Sequence, residues 1–65
     1  MDDTDLVRET AAQFVAAMGA RAVRYLEQQA DIAAGIGDLI SEAAWLDIAV
    51  AAKIILDQSR SQLRG

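Results

Sequence analysis

Residues 38–56, DLISEAAWLDIAVAAKIIL, place apolar side chains at helical spacing around nearly the whole circumference of one segment. A helix that is apolar all round is normally buried on all sides. A chain of 65 residues offers too few neighbours to cover such a helix alone. One face is expected to pack on the rest of the chain, and the other on a second copy or a partner.

The two faces can be read off the spacing. One carries Ala44, Ile48, Ala51 and Ile55, with Trp45 and Ala52 beside it. The other carries Leu39, Ala43, Leu46, Val50 and Ile54. Asp47 separates them on one side; Glu42, Lys53 and Asp57 lie on or near the other boundary. The inner role suits the face with Trp45, because a tryptophan is best served inside the chain's own core. The Leu39–Ala43–Leu46–Val50–Ile54 stripe is then the expected interface of a homodimer.

Composition narrows the means of stabilisation. Chains of this size bury only about 60% of their unfolded surface, and small folds compensate with disulfides, metals, oligomerisation or close helix packing. The chain has no Cys and no His. Disulfides, thiolate metal sites and the commonest zinc ligand and general base are therefore excluded. It has no Pro, and Ala is its most frequent residue; Ala is the best helix former and Pro the worst. The prediction is an all-α, three-helix domain assembled as a helical-bundle dimer. With only three aromatics, its core is expected to be thin and its helices close together.

Helix 1 is expected over residues 3–18, capped by Asp3 or Thr4, with Asp2, Asp3 and Asp5 complementing the helix dipole. Its seam is Val7, Ala11, Phe14 and Met18, widened by Val15. Gly19 fits either a stop or a kink in one long helix. Helix 2 is expected over 20–34, with Ala22, Leu26, Gln29, Ala33 and Ile36 as its seam and Tyr25 and Ala30 flanking it. Its outer face carries Arg21, Arg24, Glu27, Gln28 and Asp31. Gly35-Ile36-Gly37-Asp38 is the strongest break: Gly ends one helix and Asp38 caps the next. Helix 3 is expected over 38–58, antiparallel to helix 2, with residues 59–65 as a frayed tail. The whole chain, 1–65, reads as a single domain.

The run Phe14-Val15-x-x-x-Gly19, Ala22, Tyr25-Leu26, Gly37-Asp38 and Trp45-x-x-Ile48-Ala49 resembles a family of small, uncharacterised alphaproteobacterial three-helix proteins. The resemblance spans residues 14–56 and departs from the pattern at Val23, Gln29 and Gly35. It implies a helix ending in Gly, a second helix, a Gly-Asp turn and a third helix. It implies no activity and no site residues.

Chemistry-bearing groups are sparse. Glu27 and Asp31 stand one turn apart on a polar face, where a solvated helix surface is the ordinary reading. Carboxylate-bridged dimetal bundles also need a Glu-x-x-His motif, which a chain without His cannot supply. Gly35-x-Gly37 lacks the Lys and third Gly of a phosphate loop. A net charge of −4 with six basic residues argues against a nucleic-acid partner, which needs clustered Lys and Arg.

Tyr25, Trp45 and Asp47 are the residues that would line a pocket, if one exists. Asp47 stands among Trp45, Leu46, Ile48 and Ala49, and a buried carboxylate there would be costly; at the solvent edge, or paired with Arg21, Arg24 or Lys53, it would be ordinary. The expectation is a non-enzymatic, cytoplasmic interaction or structural module. It has no cofactor, metal, nucleic-acid or membrane partner, and it self-associates through helix 3. The alternative is a small-molecule-binding or regulatory protein with an apolar pocket near Trp45.

Overall fold

The computed structural model describes the backbone of residues 3–64 and the side chains of residues 5–60. The proposed caps Asp3 and Thr4, with Asp2 and Gly65, lie outside the described side chains. Three helices form: α1 (Asp3–Met18), α2 (Arg21–Gly35) and α3 (Leu39–Arg64). Among the described residues there is no strand.

Local chemistry sets both breaks. The Gly19 amide donates to the Val15 carbonyl at 2.7 Å with Gly19 at φ +63°. This single bond from the residue after the helix is the simple left-handed cap. Two helices therefore replace the kinked single helix. α2 starts without a side-chain cap at Ala20, as the absence of Ser, Thr, Asp or Asn there requires. At its other end the Asp38 amide reaches the Ala33 carbonyl at 2.9 Å, and the Gly37 amide reaches Ala34 at 3.1 Å. Gly37 stands at φ +77°. This is the two-bond Schellman closure.

Gly35 and Gly37 make a matched test. A Cβ added at either meets no atom within 4 Å, so only the backbone separates them. Gly37→Ala forces an L side chain into the left-handed region and is expected to cost about 1–2 kcal/mol. Gly35→Ala removes freedom from the unfolded chain and is expected to stabilise by about 0.4–1 kcal/mol. Urea unfolding of the two variants checks the opposite signs.

Asp38 then opens α3. The Ser41 amide donates to Asp38 Oδ1 at 3.1 Å, and the Ser41 hydroxyl donates to Oδ2 at 2.7 Å. These bonds, the side-chain one first, hold the Asp38 carboxyl below its ordinary value of 3.8. The cap stabilises the fold above the ordinary carboxylate range, and its contribution fades as pH falls through the lowered folded value. Asp38→Ala is expected to lower the unfolding midpoint by a few degrees near neutral pH. The gap between variant and parent should close in acid; a midpoint unchanged at pH 7 would contradict the cap.

α3 is the centre of the fold. It packs along α2 and also against α1, while α1 and α2 touch each other little. Only residues 36–38 connect α2 to α3, so the two run antiparallel. Lys53 Nζ meets Glu27 Oε2 at 3.2 Å across that hairpin. Helix side chains lean toward their own N-terminus. Lys53 therefore leans toward the turn and Glu27 away from it, which brings them level. α3 does not stop at residue 58 as the sequence suggests. It continues to Arg64, because no Gly or Pro interrupts residues 59–64.

Buried hydrophobic positions among the described residues are Leu26 and six alanines: Ala11, Ala22, Ala30, Ala33, Ala49 and Ala52. Phe14, Val15, Trp45, Ile48 and Ile55 pack around them, half-buried. Alanine-lined seams let helix axes approach toward the ~8 Å limit. Four expectations about the seams are corrected. Met18 lies largely at the surface. Ile36 is 76% exposed, because it is the C-cap of α2 rather than part of it. Ala30 takes the buried place on α2, and Gln29 is only half-buried. On α3, Ala49 is buried and Ala44 exposed.

Candidate functional site

Helix geometry places Leu39, Ala43, Leu46, Val50 and Ile54 within an arc of about 80°. That arc faces away from the side of α3 where Ala49 and Ala52 are buried. All five are exposed: Leu39 by 69%, Val50 by 55%, Ile54 by 53% and Leu46 by 44%, with Ala43 alongside. Neither α1 nor α2 covers the stripe. Asp57 interrupts it toward the C-terminus.

The stripe has charged borders. Asp47, exposed, lies along one edge, and Glu42 and Lys53 along the other. The Lys53–Glu27 pair is about half exposed on both sides, so it is an ordinary surface ion pair worth less than about 1 kcal/mol. It holds the Lys53 ammonium toward α2.

A groove of about 500 Å³ runs between α1 and α3. Val7 and Arg8 line it from α1; Asp47, Val50, Ile54 and Gln58 line it from α3. Val50 and Ile54 thus belong to both the groove and the stripe, and the two form one surface. Sequence reasoning missed Arg8 and this groove. No local signal marks them, because they depend on where α1 lies across α3.

Tyr25, Trp45 and Asp47 do not converge. Phe14 stands between the two aromatics, 5.7 Å from Tyr25 and, edge-on, 6.4 Å from Trp45 by ring centroids. The Trp45 ring is therefore engaged in packing. Asp47 points to the other side of α3, into the α1–α3 groove. It sits at the solvent edge; Lys53 is engaged by Glu27 instead.

Among the described residues, no three of the His, Cys, Asp and Glu side chains cluster in a way that could hold a metal ion. Among the same residues, no polar side chain is buried, and no buried polar atom lacks a partner. No helix of the described residues is long and apolar enough to cross a membrane. No family model, curated protein or solved structure matches the chain.

Proposed function

We propose that this protein is a non-enzymatic helical interaction module that self-associates through the outer face of α3. One observation carries the reading: a continuous apolar stripe, Leu39 to Ile54, stays exposed. Monomeric proteins rarely leave such a patch in water. A homodimer covers it with an identical patch and closes the assembly. The absence of catalytic machinery, nucleic-acid partner and cofactor is part of the proposal, supported by the lack of His and Cys and the net charge of −4. So is a cytoplasmic location. Membership in the small alphaproteobacterial family belongs here too; it rests on the Gly19, Gly37-Asp38 and Trp45-x-x-Ile48-Ala49 positions and brings no activity.

The unfolding midpoint should depend on protein concentration. If dissociation and unfolding are coupled, it rises by about 5 °C for each tenfold increase. A reversible transition with a fixed midpoint from 1 to 100 times a low micromolar concentration would contradict self-association.

A second reading, a small-molecule or regulatory site, finds its best support in the α1–α3 groove rather than beside Trp45. There an apolar floor has Arg8 and Asp47 at its walls, the mixture of apolar lining and few polar groups that ligand sites use.

A further inference from the structure

We infer that two copies pack α3 against α3 in antiparallel orientation, with Leu46 beside the two-fold axis. This rests on the self-association reading and specifies its geometry. The first support is the register of the stripe. Its spacings are 4, 3, 4 and 4, which is almost the same read backwards. Turning one copy over the other brings Leu39 level with the partner's Ile54 and Ala43 level with the partner's Val50. Leu46 then meets the partner's Leu46 to within one residue's rise, about 1.5 Å. The smallest residue of the stripe is thereby matched with a larger one. A parallel pair stacks Ala43 on the partner's Ala43 and leaves a void, which close-packed interfaces avoid.

The second support is charge. In an antiparallel pair the like borders of the two helices meet. Glu42 and Lys53 share a border, and the register places Glu42 within two residues, about 3 Å of rise, of the partner's Lys53. Two-fold symmetry makes this attraction twice. The other border sets Asp47 beside the partner's Asp47, a single like-charge contact near the axis. Arg8 lines the same groove as Asp47 and puts a positive charge on that side. A parallel pair instead brings unlike borders together, with Glu42 about 7.5 Å of rise and Lys53 about 9 Å of rise from the partner's Asp47, each twice, so that repulsion and attraction nearly cancel. A close attraction made twice against one like-charge contact in the antiparallel pair, compared with near cancellation at longer range in the parallel one, selects the antiparallel arrangement.

The chain has no Cys, so each introduced thiol is the only one, and all the positions used are exposed or half-exposed. A disulfide requires Cα atoms within about 7 Å. Ala43→Cys and Val50→Cys proteins are mixed in a glutathione redox buffer, and the products are weighed by mass spectrometry. The expected result is a mixed disulfide, joining one Ala43→Cys chain to one Val50→Cys chain, at least tenfold above either homodisulfide. The reason is that Ala43 lies about 10 Å of helix rise from its own copy. Leu46→Cys alone is expected to form its homodisulfide readily. Homodisulfides of the Ala43→Cys and Val50→Cys proteins in excess of the mixed product would show a parallel pair and overturn the orientation. Failure of Leu46→Cys to cross-link in a protein that sediments as a dimer would overturn the contact. Sedimentation of the unsubstituted chain as a monomer would instead overturn the self-association reading itself.

Discussion

Leu26→Ala is expected to lower the unfolding midpoint by more than about 10 °C. Leu26 is the one large side chain among the described residues that is fully buried, and it shares its cluster with Ala11, Ala49 and Ala52 and with half-buried larger side chains around them. The cost falls within the usual range of about 2–5 kcal/mol for losing a buried leucine. A chain of 65 residues has only about 3–10 kcal/mol of total stability, and each kcal/mol moves the midpoint by about 4–8 °C. Circular dichroism melting checks this. A loss below about 1 kcal/mol would mean that the α2–α3 seam is not the folding core. Leu56→Ala, at a half-buried position on α3, serves as a milder comparison.

Val50→Glu and Ile54→Glu are expected to weaken self-association at least about a hundredfold each. Both residues are more than half exposed in the single chain, so in a monomer a glutamate there would sit in water at little cost. In the paired state the same glutamate is taken out of water twice, once per copy, and Arg8, the basic residue of that groove, already shares it with Asp47. Burying an unpaired carboxylate costs several kcal/mol, and about 2.8 kcal/mol is already a hundredfold. Glu is also a better helix former than the β-branched residue it replaces. Loss of helicity in these variants would therefore report dependence of folding on assembly rather than a poorer helix. Sedimentation and far-UV circular dichroism on the same samples separate the two effects. Variants that associate like the parent would move the contact away from this stripe.

The turns were legible because their signals are local. Gly37 and Asp38 announce a left-handed residue and a helix cap, and both occur. Gly19 was legible only as a choice between stop and kink; the amide bond to Val15 depends on the φ that Gly19 adopts. The outward stripe of α3 was legible as well, since Asp47 and Lys53 frame it in the sequence. The inward arc was not. On a helix apolar nearly all round, periodicity cannot say whether Ala44 or Ala49 meets α2. Ile36 misled for a related reason: its spacing continues the α2 seam after the helix has ended. Of the pocket residues, Tyr25 and Trp45 were recognisable as aromatic anchors. That Phe14 would stand between them, and that Asp47 would face Arg8's groove, required the placement of α1.

Sedimentation equilibrium of the unsubstituted protein, from low to high micromolar concentration at neutral pH, decides whether the chain self-associates. A mass approaching twice the 7.0 kDa of the chain, with full helicity, is expected. A helical protein that stays at 7.0 kDa across the whole range would contradict it.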